Sequence, residues 1–180
     1  MSVARSRIPP SKRAIDSMIR VDQAGEYGAT RIYAGQLAVM GDRSAAAREI
    51  AGMAAQEQRH LAYFDRMIAQ RGVRPTLLQP FWNAAGFALG AVTAAMGPEA
   101  AMACTAAIET EIDKHYAEQR DQLADHDPEL SDAIADFQAE EVEHRDRALA
   151  AGAEQAHGYP LLFAAIRAGC RLAIAASKRI

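Results

Sequence analysis

Glu140-Glu141-Val142-Glu143-His144-Arg145-Asp146 is the stretch on which the fold turns. It lies in a run from Glu129 to Ala151 that holds no glycine or proline, so a helix is expected there. Residues three apart on an α-helix lie about 60° apart around its axis, so Glu141 and His144 can grip one metal ion from the same face. A solvated charged face that contains a histidine would look the same, and one such match is weak. Glu57-Gln58-Arg59-His60 repeats the spacing, and each pair has a lone glutamate some thirty residues upstream: Glu26 before Glu57, Glu109 before Glu141. Matching positions are offset by 83 or 84 residues. The pattern reads as an internal duplication of an antiparallel helix pair, each copy supplying one single Glu and one Glu-x-x-His. Four carboxylates and two imidazoles are the ligand set of di-iron and di-manganese sites in four-helix bundles.

The composition agrees with an all-α chain. Its 180 residues suffice for one domain with a real core, half of them are apolar, and only 6% are aromatic. Abundant alanine and the lack of β-branched runs favour helices in close contact. A net charge of −3 leaves no footprint for a nucleic-acid partner. Cys104 and Cys170 fit neither a disulfide framework nor a Cys-x-x-Cys site, so they read as small core residues in a reducing compartment. Residues 1–10 are expected to form a flexible basic arm, with Arg5 and Arg7, ahead of a helical domain over 11–180. No apolar signal core follows this arm, so secretion is not expected.

The first helix is expected from Ser11 to Met40, with Ile15, Ile19, Asp22, Glu26 and Tyr33 on or near one inward stripe. Gly25, Gly28 and Gly35 weaken its propensity and suggest backbone contact with a neighbour. A carboxylate buried at Glu26 needs a cation, and a metal supplies one. Ser44 can cap a second helix lasting to Arg71, stopped by Gly72 and Pro75. Met53, Glu57, His60, Leu61, Phe64 and Ile68 follow its core period. A third, apolar helix over 81–96 is roughly 24 Å long, short for a bilayer span, and reads as a crossover that returns the chain along the bundle. The fourth is expected from Pro98 to about Asp125, bringing Glu109, Ile112, His115 and Tyr116 to one side. Glu111 and His115 are spaced to chelate, but Glu111 would break the duplicated interval, so Glu109 is preferred. The fifth helix carries the opening motif, with Glu140 and Glu143 as solvated neighbours of the ligands; His126 and His157 fall in turns. The sixth, from about Pro160 to Ile180, is amphipathic. Its Arg167, Arg171, Lys178 and Arg179 are balanced by no acid within it, which suits a helix in a lipid headgroup layer.

Hard carboxylates with one imidazole per metal suit iron or manganese rather than zinc or calcium. The spacing leaves hydroxylation, desaturation and ferroxidase chemistry open. Five segments narrow this: Val21-Asp22-Gln23-Ala24-Gly25-Glu26-Tyr27-Gly28-Ala29, Glu57-Gln58-Arg59-His60-Leu61, Ala103-Cys104-Thr105-Ala106-Ala107-Ile108-Glu109, Glu140 to Asp146, and Ala168-Gly169-Cys170-Arg171-Leu172-Ala173-Ile174. They resemble the demethoxyubiquinone hydroxylase family of ubiquinone biosynthesis, over nearly the whole chain from about Asp16 to Ile180.

The resemblance implies a ferritin-like four-helix bundle of two duplicated helix pairs, with the apolar crossover and amphipathic terminal helix at a membrane-facing entrance. It implies two Fe ions per chain, one held by Glu26, Glu57 and His60, the other by Glu109, Glu141 and His144, with Glu57 and Glu141 bridging. The activity implied is O2-dependent hydroxylation of the ring of a polyprenylated demethoxybenzoquinol, with NADH as a transient electron donor acting through the quinone. The chain has no Gly-x-Gly-x-x-Gly loop for a resident nicotinamide. His115, Tyr116 and Arg171 become relay candidates. Further implied are a membrane surface, a lipid-presenting partner protein, and a peripheral place on the cytoplasmic face of a bacterial inner membrane, or the matrix side of the mitochondrial one. Self-association into a homo-oligomer is compatible with the sequence and not specified by it. The competing reading is a ferritin- or rubrerythrin-like ferroxidase or iron-handling protein, against which the apolar crossover and basic last helix stand. A structural membrane-surface protein with a vestigial site is a third, disfavoured by the complete ligand set.

Overall fold

Six helices follow one another in a computed structural model that describes residues 9–123 and 126–180. They are α1 (Lys12–Met40), α2 (Ala45–Arg71), α3 (Gln79–Ala95), α4 (Pro98–Leu123), α5 (Pro128–Ala150) and α6 (Tyr159–Ser177), with a short 3-10 turn at Ala153–Gln155. The described residues contain no strand. Of the expected arm, residues 1–8 lie outside the described residues, and so does the expected end of the fourth helix at Asp125.

The boundaries follow local chemistry. Ser11 and Ser44 each accept a hydrogen bond from a backbone N–H three residues on, at Ala14 and Ala47, which satisfies donors the first turn leaves orphaned. Gly72 ends α2 in the left-handed conformation at φ 66°, which a residue with a Cβ adopts only with strain. Asp127 caps α5 and also binds Arg71 in the last turn of α2, tying two helix ends together. The third helix begins at Gln79, two residues before the expected start, because Pro80 fits its first turn.

Cross-helix pairs give the directions. Gln36 meets Ala101, Tyr33 meets Glu109 and Gln119 meets Asp22, so α4 runs antiparallel to α1. Glu49 meets Arg147, Gln56 meets His144 and His60 meets Glu140, so α5 runs antiparallel to α2. The α1–α2 pair therefore maps onto the α4–α5 pair by an approximate two-fold axis across the bundle. The crossover α3 packs on α1, and α6 packs on α4 in the matching place.

The α1–α3 seam is backbone on backbone. A Cβ on Gly90 would stand 1.9 Å from the Ile32 carbonyl oxygen, and one on Gly35 would stand 2.1 Å from that of Phe87. The expectation of backbone contact thus holds for Gly35. It holds for Gly28 through its carbonyl oxygen, 3.1 Å from where a Cβ on Gly86 would stand, whereas Gly25 faces only the Ile112 side chain, 3.8 Å away.

Two apolar clusters close the bundle above and below its middle. One is alanine-rich, with Ile50, Met53, Ala100, Ala101, Met102 and Ala103; the other holds Ile19, Phe64, Met67, Leu123, Leu130 and Ile134. Burying each of the larger side chains contributes about 1.5–3 kcal/mol.

Candidate metal centre and apolar groove

Between those clusters the bundle interior is polar and buried. Glu26, Glu57, His60, Glu109, Glu141 and His144 are all brought together there, each at most 4% exposed. They form two overlapping groups that could each hold a metal ion: Glu26, Glu57, His60 and Glu141, and Glu57, Glu109, Glu141 and His144. Glu57 and Glu141 belong to both.

Each imidazole aims Nδ1 inward. His60 Nδ1 lies 3.5 Å from Glu26 and 3.1 Å from Glu141, and His144 Nδ1 lies 3.1 Å from both Glu57 and Glu141. Glu57 Oε1 and His60 Nδ1 are nonetheless buried without a hydrogen bond of normal geometry. Buried polar atoms left orphaned are costly, and a shared cation would satisfy them. The oxygen-rich donor set with one imidazole on each side fits a pair of iron or manganese ions.

Charge tells the same story. Burial, then the neighbouring carboxylates beginning with Glu141, push Glu57 and Glu109 well above the usual carboxylate range. Burial raises Glu141 as well, only partly offset by His60. Burial would also raise Glu26, but hydrogen bonding and charge from His60 carry it below its ordinary value. His60 is pushed down by burial and up more strongly by Glu141 and Glu26, reaching about 10, whereas burial holds His144 below its ordinary value. Three of the four carboxyl groups thus hold their protons more firmly than usual, as suits a site whose negative charge a cation would balance.

Several contacts here were not anticipated. Tyr33 donates to Glu109 at 2.9 Å, and Tyr116 donates to Glu26, each crossing to the other half. Burial raises both phenols well above their ordinary values, so they remain donors. Tyr33 and Tyr116 each lie seven residues after a single Glu, so the 83-residue offset carries this signal too. Glu140 is not merely a solvated neighbour, as the sequence suggested. It accepts from His60 Nε2 at 2.9 Å and from Arg59, because an outward ring nitrogen in a packed bundle needs a partner. Gln56 does the same for His144, at 2.8 Å. Glu143 does lie at the surface, near Arg147. Phe137 lies against the His60 ring, with centroids 4.1 Å apart.

His115 does not join Glu111. It pairs with buried Asp22 at 3.3 Å and with Gln119. Glu111 instead accepts from Arg167 and Arg171, which corrects the expectation that nothing balances these arginines: the acid comes from α4, across the helix packing. Arg171 is thus held by Glu111, while Tyr116 touches the cluster directly. His126 and His157 are exposed. Glu154 and His157 make a third Glu-x-x-His, but both are exposed, with Glu154 inside the 3-10 turn and His157 beyond it, so the spacing shares no α-helical face. Burial raises the thiols of Cys104 and Cys170 to about 12, as suits inert packing residues.

Beside the cluster, α1 and α4 floor a groove whose walls are α3 and α6. Its volume is about 640 Å³ and its lining, including Ala24, Trp82, Leu89, Ile112, Ile166 and Ile174, is almost wholly apolar. A narrow gap with no room for water lies next to it, bounded by Tyr33, Thr105 and Glu109 and sharing Ala29, Ile32 and Ile108 with the groove. Ala29, Ile32 and Ile108 thus line both the groove and the gap that reaches Glu109.

A buried Glu4His2 cluster next to an apolar groove can be set beside known proteins. The family model for the ubiquinone biosynthesis protein COQ7 matches residues 13–177. The chain belongs to this family. Within it, the 3-demethoxyubiquinol 3-hydroxylase of Rhodospirillum rubrum is 55% identical over 180 residues, covering 98% of this chain and 85% of the relative. The NADPH-dependent 3-demethoxyubiquinone 3-hydroxylase, mitochondrial, of Homo sapiens is 49% identical over 174 residues, covering 94% and 80%. The 5-demethoxyubiquinone hydroxylase, mitochondrial, of Saccharomyces cerevisiae is 39% identical over 182 residues, covering 92% and 78%.

Proposed function

We propose that this chain hydroxylates the ring of a polyprenylated demethoxybenzoquinol, 2-polyprenyl-3-methyl-6-methoxy-1,4-benzoquinol, with O2 in ubiquinone biosynthesis. The observation that carries the reading is the six-ligand cluster set one thin apolar wall from a groove fit for an isoprenoid tail. The relatives' names add support, since all those quoted are hydroxylases, and they leave the ferroxidase reading without a specific observation in its favour.

Two iron ions would be held by the cluster, one by Glu26, Glu57 and His60 and the other by Glu109, Glu141 and His144, with Glu57 and Glu141 within reach of both positions. A bound iron pair supplies two-electron chemistry with O2. The protein's residues do the rest. Tyr33 and Tyr116 fix the single carboxylates, the two apolar clusters keep water out, and the groove orients the ring toward Glu109. Ile32 and Ile108 must turn aside for a ring to pass.

The electron source in this reading is a reduced nicotinamide, transiently bound. NADH is the donor the family resemblance implies, while the mammalian relatives are named for NADPH. His115 and Tyr116 are adjacent in sequence and Tyr116 reaches Glu26, which makes them the shorter relay; Arg171 would act from the groove's edge.

Membrane attachment is part of the proposal. Phe81 and Val92 on α3, Met96 at its C-terminal cap, and Leu161 and Leu172 on α6 are all more than half exposed. Among the described residues only α6 is long and apolar enough to cross a bilayer. Its packing on α4, held by Arg167 and Arg171 on Glu111, suits lying in the headgroup layer instead. The place assigned is the cytoplasmic face of a bacterial inner membrane, or the matrix side of the mitochondrial inner membrane. A lipid-presenting partner and a homo-oligomer belong to this reading without an assigned surface.

The test is anaerobic Fe(II) loading followed by O2, with and without a short-tailed demethoxyquinol, reading metal content and product mass. Two irons per chain and a product heavier by one oxygen are expected. Two irons with no hydroxylated product would support the ferroxidase reading, and fewer than two metals would overturn the site.

A further inference from the structure

Glu140 and Gln56 occupy matching places, each one residue before a Glu-x-x-His, and each crosses the bundle to the other half's histidine. Carboxylate and amide oxygens only accept, so the Nε2 of each histidine carries the hydrogen and Nδ1 is left free for a metal. The geometry is the same on both sides, at 2.9 and 2.8 Å. The charge is not. A carboxylate behind an imidazole makes the ring a stronger donor to a metal and adds negative charge close by, whereas an amide only orients it.

Nothing nearby cancels the difference. The crossed tyrosines are matched, Tyr33 on Glu109 and Tyr116 on Glu26. Arg59 pairs with Glu140 at 3.0 Å, but its side chain is 60% exposed and solvent screens it. Arg147, on the His144 side, is engaged with Glu49 and Glu143.

We propose that Glu140 and Gln56 make the two metal positions unequal, so that the position at His60 binds a divalent cation more tightly and fills first, and the position at His144 fills second and empties first. This inference rests on the two-metal reading of the site. Outer partners of this kind change metal affinity by roughly 10–100-fold, which sets the expected separation of the two steps. Glu140 and Gln56 act through the histidines, as positioning residues.

The experiment is anaerobic titration of the full chain with Co(II), followed by calorimetry and by the visible absorbance of the bound ion. The wild type should take up two ions in separate steps. Glu140→Gln keeps an acceptor for His60 Nε2–H while removing the charge, and should merge the steps. Gln56→Glu should tighten the weaker step, and Arg59→Gln should preserve the order. Two indistinguishable steps in the wild type would overturn this inference alone. Separate steps that persist unchanged in both Glu140→Gln and Gln56→Glu would come from repulsion between the cations and would also overturn it. Uptake of fewer than two ions would overturn the two-metal reading with it.

Discussion

In the half built from α1, α2 and α3, the outer helix is seated on its neighbour through glycines, with α1 and α3 backbones in direct contact at Gly35 and Gly90. In the half built from α4, α5 and α6, the outer helix is held by side chains: Ile166 against Ile108 and Cys104, and Arg167 and Arg171 on Glu111. A glycine seam leaves no room for adjustment, whereas flexible arginines on a carboxylate can shift and re-form. The groove therefore has one fixed wall and one that can yield. The same contrast runs inward, where identical ligands from both halves meet different outer partners.

The sharpest break of the symmetry is to remove a ligand that both halves use. Glu141→Ala, like Glu57→Ala, should abolish occupancy by two metals and with it turnover, read by metal analysis and product mass; full turnover with two irons retained would refute the site. On the seams, Gly90→Val should destabilise by about 3 kcal/mol or more, lowering Tm by roughly 6–12 °C. Gly169→Ala on α6 should be neutral or gain about 0.5 kcal/mol, because its Cβ would meet nothing within 4 Å. Equal effects at the two glycines would erase the distinction between the walls.

Metal loading should depend on pH in a definite direction. Glu57 and Glu109 are raised by burial and like charge and hold their protons more firmly than ordinary carboxyl groups, and His60 stands near 10. A metal must displace those protons, so affinity should rise with pH up to about 10, with protons released on loading in weakly buffered solution. Loading that consumes no base would contradict this. Modest effects should come from Tyr33→Phe and Tyr116→Phe, each removing one hydrogen bond worth about 1 kcal/mol. Each should weaken chiefly the metal position in the opposite half, as resolved by stepwise Co(II) titration.

Much of this was legible in the chain. The ligands share a helix face and a repeat, and Ser11, Ser44, Gly72 and Pro98 mark helix ends through purely local chemistry. The partners of those ligands were less legible because they lie across the bundle: Glu140 looked solvated until α2 brought His60 to it, and the arginines of α6 looked unbalanced until α4 supplied Glu111. Asp22 and Tyr33 were placed on the inward stripe, but a stripe does not say what a side chain meets. The exposed Glu154 and His157 show the converse, a spacing without the helix that gives it meaning.

Four hydrogen bonds that brace the cluster cross between halves: Tyr33 to Glu109, Tyr116 to Glu26, His60 to Glu140, His144 to Gln56. Neither half can complete its own ligand support. A chain of half this length would build the cluster only by pairing with a second copy of itself, so the duplicated protein has the logic of an obligate homodimer fused into one polypeptide. Fusion is also what allowed the copies to diverge, since glutamate and glutamine can face each other across the axis only when the two halves are encoded separately.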